Sequence, residues 1–151
     1  MIHYITLRVT AHATEDRDRV ISALKFLLPD VIRNSPDIDN QINYLVVDGH
    51  YGNPMALYSL DFKRKAETSA FMDRLVSELS KSQRDELVRQ LDERLDDQLM
   101  LHLRFSKQEA YSGKLVTESS SDAIAVKIKI ATYPKDRNKA LEMLEDFFEH
   151  I

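Results

Sequence analysis

Four groups of residues carry types that could do chemistry. Lys63-Arg64-Lys65 is a run of three adjacent cations, and Asp61 and Glu67 are the only nearby acids to screen it. Such a run suits a clamp on phosphates, each contact adding about one unit to the salt dependence of binding. Solvated cations at a helix start would instead work against the helix dipole. The segment Arg104 to Lys114 interleaves Arg104, Lys107 and Lys114 with Gln108 and Tyr111, a mixture suited to phosphate contact and base stacking. Phe105 is read as core, while Tyr111 fits either a core edge or a stacking platform. Gly49-His50-Tyr51-Gly52-Asn53-Pro54 holds two of the three glycines. It could present His50, Tyr51 and Asn53 to an unpaired nucleotide, or its glycines could simply satisfy a turn over a packed Tyr51.

The fourth group is the histidines, His3, His12, His50, His102 and His150. Asp48 and His50 with His12 or His102 could form an acid–base pair or a metal site. Their spacing matches neither a helical HExxH nor a facial triad. Asp37, Asp39 and Asp48 imitate a calcium loop, but Ile42 stands where the loop needs glycine. The absence of cysteine excludes a disulfide framework, a zinc knuckle and a thiol nucleophile. Only three glycines, so placed, exclude a Walker loop and a dinucleotide fingerprint. No G-x-S-x-G elbow occurs. The expectation is a non-catalytic protein with no metal and no cofactor.

The chain of 151 residues is the length of one domain, and 1–151 is read as a single unit. Residues 2–12 alternate apolar and polar, as a half-buried strand does. Thr14 is the expected cap of a helix striped by Val20, Leu24, Leu27 and Leu28 and ended by Pro29. Residues 29–40 read as irregular loop. Strands are expected at about 42–48 and 55–62, then a helix at about 65–80. Ser82-Gln83-Arg84-Asp85 resembles a capping box, placing the next helix start there. A strand at about 98–105 follows, then a Ser-rich stretch with a short strand near 114–117. A strand over 124–131 and a helix from about Pro134 close the chain. The order β-α-β-β-α-α-β-(β)-β-α predicts an α+β fold, with an antiparallel or mixed sheet and helices packed mainly on one face.

Such a sheet leaves its other face open. Pooling the polar positions of three strands gives Tyr4, Thr6, Arg8, Thr10 and His12, then His102 and Arg104, then Lys127 and Lys129, with no acid among them. The formal net charge is -4, which speaks against a generic polyanion binder. Yet Leu141–Ile151 carries four acids and no Lys or Arg, and without it the chain balances at 21 of each sign. The signs are segregated. Arg8, Arg104, Lys127 and Lys129 could therefore neutralise a phosphate backbone. An ordinary solvated face, or one covered by another subunit as a homodimer or a docking module of a larger complex, fits the same residues. No apolar run would span a membrane, and Met1-Ile2-His3-Tyr4 lacks the start of a signal peptide, so the cytoplasm is the expected compartment.

His12-Ala13-Thr14-Glu15-Asp16, the GHYGNP hexapeptide, Leu103-Arg104-Phe105-Ser106-Lys107-Gln108 and Tyr111-Ser112-Gly113 together resemble an archaeal family of predicted RNA-binding proteins linked to the exosome. The resemblance runs over essentially the whole chain in the same order. It implies a fold similar to double-stranded-RNA-binding domains or ribosomal-protein-like α+β modules. RNA is the implied partner, alongside exosome or other RNA-processing proteins. The site residues expected from all of these readings are Arg8, His50, Tyr51, Asn53, Lys63, Arg64, Lys65, Arg104, Lys107, Gln108, Tyr111, Lys127 and Lys129.

Overall fold

The fold is described from a computed structural model, in which residues 1–49 and 52–149 are placed. Its elements are β1 (Ile2–Ala11), α1 (Arg17–Phe26), α2 (Asp30–Arg33), α3 (Ile38–Gln41), β2 (Asn43–Asp48) and β3 (Pro54–Phe62). Then come α4 (Lys65–Glu78), α5 (Lys81–Arg94), β4 (Met100–Phe105), α6 (Lys107–Tyr111), β5 (Ile124–Ile130) and α7 (Arg137–Glu149). The five strands form one sheet in the order β2-β3-β1-β5-β4, with every neighbouring pair antiparallel. This is an α+β fold, as expected. Among the described residues, no helix is long and apolar enough to cross a membrane.

One face of the sheet makes the core. Ile5, Leu7, Val9 and Ala11 of β1 are buried beside Leu101, Leu103 and Phe105 of β4 and Ile124, Val126, Ile128 and Ile130 of β5. Period-two alternation sends these residues to the same side. There they meet Leu24 of α1, Phe71 and Leu75 of α4, Leu87 and Leu91 of α5, and Leu144 and Phe148 of α7. The partners of these strand residues on the other face are half-buried or exposed.

Local boundaries depart from the sequence reading in instructive ways. Asp16, not Thr14, caps α1, accepting from the Asp18 amide. The capping box is formed by Ser80 and Gln83, so α5 begins before Ser82. The 29–40 segment folds into two single-turn helices around buried Ile32 and Ile38, because each turn can bury one apolar residue despite its polar composition. The stretch after β4 is helical as α6, capped by Ser106. The short strand near 114–117 reduces to a single bridge, Phe105 to Thr117. At the last helix, Pro134 stays outside and Asp136 turns the chain in, its carboxylate accepting from the Lys139 amide.

The strand registers decide which loops meet. β1 ends, β3 begins, β4 ends and β5 begins at one end of the sheet. That end gathers the turn from His12 to Asp16, the β2–β3 tip, the start of α6 and the lead-in to β5. Lys63-Arg64-Lys65 follows β3 at the opposite end, just past the pair Ile5–Phe62.

Candidate nucleic-acid interface

The registers align the open-face positions in rows across the strands. Arg8 stands level with Ala125, which stands level with Arg104. Thr6, Lys127 and His102 form the next row, and Tyr4, Lys129 and Met100 the row after it. Arg8 and Arg104 are two strand spacings apart, roughly 10 Å. Sequence pooling placed these groups on one face, and the topology makes them coplanar neighbours. The fourth strand adds what the pooling left out, because Asp61 of β3 sits directly opposite Thr6. Among the described strand positions of this face the acid is Asp61, at the β3 side.

Arg8, Arg104 and Lys127 have no carboxylate partner among the described residues. The Lys129 ammonium donates to the Gln98 carbonyl, which does not neutralise it. His102 is paired with Asp96 at 2.9 Å. Desolvation would raise the Asp96 carboxyl, but hydrogen bonds from His102 and from the Met100 and Gln98 amides outweigh it and hold the group below its ordinary value.

Beside β4 the face deepens into a hollow of about 410 Å³ that includes Arg94, His102, Arg104, Ser119 and Lys127 in its lining. Acids Glu93, Asp96 and Glu118 stand at the same hollow. Arg94 is a residue that sequence reading passed over, because Asp92, Glu93, Asp96 and Asp97 surround it in the chain. Its guanidinium donates to the His102 carbonyl at 3.3 Å. Burial, and then the nearby Arg104 charge, hold Arg94 below the usual guanidinium range. Its one sequence signal is position, flanking the inward-facing Leu91 and Leu95.

Lys63, Arg64 and Lys65 are exposed and have no ion pair among the described residues. Lys63 follows the pair Ile5–Phe62, which brings it to the level of Tyr4 and Lys129. The cationic run thus extends the open face at this end.

The remaining expected residues lie at the other end. Asn53 is exposed in the β2–β3 tip, where its carbonyl accepts from the Gly49 amide. His50 and Tyr51 fall outside the described residues. Gln108 and Tyr111 are exposed on α6, beside a cleft of about 560 Å³ between α6 and the start of α1. The Arg19 guanidinium lies 5.3 Å from the centre of the Tyr111 ring, leaving half of that side chain open to solvent. Tyr111 is therefore at the surface rather than in the core, whereas Phe105 is fully buried.

Lys107 points inward. Its ammonium donates to the Thr10 carbonyl at 3.0 Å and pairs with Glu15 at 2.8 Å and Asp122 at 2.7 Å. Thr10 lies past the last β1–β5 pair, so Lys107 takes the acceptor that β5 leaves open. His12 approaches Asp122 at 3.1 Å. Desolvation would raise the Asp122 carboxyl, but the Lys107 and His12 hydrogen bonds hold it low. His12, Glu15 and Asp122 are close enough to ligate a metal ion. The Lys107 ammonium already supplies the positive charge between the two carboxylates. Asp48 and His12 do not converge, for β3 runs between their strands and their positions alternate to opposite faces.

An α+β protein with a single antiparallel sheet and one open, cation-bearing face is the class these features define. A family model described as RNA binding matches residues 4–130, and the chain belongs to that family. It is similar to an RNA-binding protein of Pyrococcus abyssi, 31% identical over 97% of this chain and 94% of that protein. The crystal structure of protein AF2318 from Archaeoglobus fulgidus superposes with a TM-score of 0.83 at 33% identity, covering 97% of this chain and 99% of that one. A second solved structure, Mth689 from Methanothermobacter thermautotrophicus, gives 0.78 at 28% identity with 98% of each chain covered.

Proposed function

We propose that the protein binds RNA through the open face of its sheet, without catalysis, metal or cofactor. The observation that carries the reading is the coplanar set Arg8, Arg104 and Lys127, uncovered and unpaired among the described residues. Arg and Lys at strand spacing contact successive phosphates, and a sheet face with Tyr4 beside Lys129 can also stack a base. Lys129 and Lys63-Arg64-Lys65 lengthen the phosphate track. Asn53, Gln108 and Tyr111 supply local fit at the far end, and His50 and Tyr51 are proposed as further contacts. Lys107 serves that end by holding the β1–α1 turn, the α6 start and Asp122 together. We further propose that such binding is accessory to RNA processing, with exosome or similar proteins as partners, in the cytoplasm. The reading rests on the family to which the chain belongs and on the charge pattern of the face.

Filter binding over a salt series tests it. Each lost phosphate contact lowers the slope of log K against log salt by about 0.7 for single strands. The triple variant Arg8→Gln/Arg104→Gln/Lys127→Gln should lower it by about two units, while Lys114→Gln leaves it unchanged. Absence of binding at low salt, or a slope unmoved by the triple variant, would overturn the proposal.

A further inference from the structure

The two edges of the sheet are treated differently. In an antiparallel ladder, alternate residues turn their amide and carbonyl outward. On β4 those residues are Met100, His102 and Arg104, and the outward carbonyl of each has a partner. The Met100 carbonyl accepts from the Asp96 amide, and the Met100 amide donates to the Asp96 carboxylate. The His102 carbonyl accepts from Arg94, and the Arg104 carbonyl accepts from the Glu118 amide. This edge is closed.

The β2 edge is open. The Gly49 amide donates inward to the Asn53 carbonyl, continuing the register that pairs Asp48 with Pro54. Alternation then turns Tyr44, Val46 and Asp48 outward, and Pro54 fits because it has no amide to give Asp48. These three outward positions have no backbone partner among the described residues. The middle of the strand also exposes apolar side chains, with Leu45 at 58% and Tyr44 and Val46 beside it. An uncapped apolar edge is a template for another strand.

We infer that β2 pairs with β2 of a second copy of this chain, antiparallel, about a two-fold axis normal to the sheet through Val46. The strand is self-complementary in that register. Val46 faces Val46, Leu45 faces Val47, and Tyr44 faces Asp48 of the second copy. All three outward residues of each strand then exchange backbone hydrogen bonds. Charge favours the same register. The Arg17 guanidinium donates to the Tyr44 hydroxyl at 3.0 Å, so it stands where the second copy's Asp48 carboxylate arrives. Asp48 and Tyr44 share one face of β2 with Val46, the side on which α1 lies. An axis normal to the sheet keeps both open faces on one side, joining two cationic surfaces across a ten-stranded sheet.

Size-exclusion chromatography with light scattering over a dilution series tests this. The wild type should give twice the chain mass of 17.5 kDa at high concentration. Val46→Lys, which sets two ammonium groups against each other on the axis, should give the single-chain mass with an unchanged circular dichroism spectrum. Asp48→Arg should also dissociate the pair, and Asp48→Arg/Arg17→Asp should restore it. A wild type of single-chain mass at every concentration would overturn the inference. So would a dimer that persists in Val46→Lys, or a charge exchange that fails to restore pairing.

Discussion

Replacing Lys107 with Met separates a structural cation from an RNA contact. The variant keeps most of the apolar stem and removes the ammonium. Three acceptors lose a donor: the Thr10 carbonyl, Glu15, which keeps the His12 amide, and Asp122, which keeps the His12 ring. Removing one partner of a fully buried ion pair costs about 3–5 kcal/mol. This pair is not fully buried. The Lys107 side chain is 11% exposed and Glu15 30%, but Asp122 is 53% exposed and regains water easily. Its share is that of a surface bridge, under about 1 kcal/mol. Glu15 and the Thr10 carbonyl keep the larger part, at about 1 kcal/mol each for groups left partly desolvated. The expected loss is about 2–3 kcal/mol, a fall in Tm of roughly 5–10 °C for a chain of this size. Urea unfolding followed by circular dichroism measures it, and filter binding on the same protein measures the salt slope. A stability change below about 0.5 kcal/mol with a slope lowered by about one unit would refute the reasoning and make Lys107 a phosphate contact.

Two further outcomes concern other parts of the frame. Gly49→Ala places a Cβ 2.8 Å from the Asn53 backbone oxygen, where neither side can yield without shifting the β2–β3 tip, so urea unfolding should show a loss of about 1–3 kcal/mol. The Asp96 carboxyl is depressed in the folded chain, so its stabilisation is present above the unfolded value near 3.9 and is lost as pH falls through the folded value. Asp96→Asn should therefore be the less stable protein at pH 6, by under about 1 kcal/mol because the group is solvent-screened, and should match the wild type at acid pH below the folded value. Thermal melts across that range check the crossing, and a constant difference at all pH values would exclude the charge as its source.

Alternation along 2–12, 98–105 and 124–131 was enough to place Arg8, Arg104, Lys127 and Lys129 on polar faces, because a strand's period is local chemistry. The same locality made Lys63-Arg64-Lys65 legible as an exposed run after a strand. Asp61 was legible in type but not in place, since its position opposite Thr6 depends on β3 lying beside β1. Arg94 was invisible for the same reason. A helix residue joins a sheet face only when packing brings the helix end to that edge.

The ends of elements were the least readable parts. Thr14 and Ser82 are good caps by type, and Asp16 and Ser80 won because the chain enters each helix earlier or later than the nearest cap predicts. Lys107 shows the limit most directly. In the sequence it is a cation among polar neighbours, open to phosphate. In the fold it is nearly enclosed, because Glu15 and Asp122, distant in sequence, reach it from the α1 and β5 sides. The sequence by itself determined the α+β class, the two faces of the strands and the segregation of charge, since these follow from periodicity and residue type. Only the tertiary structure decided which cations remain free, which edge of the sheet is closed and which is open. Those properties depend on partners that the chain brings together from far apart.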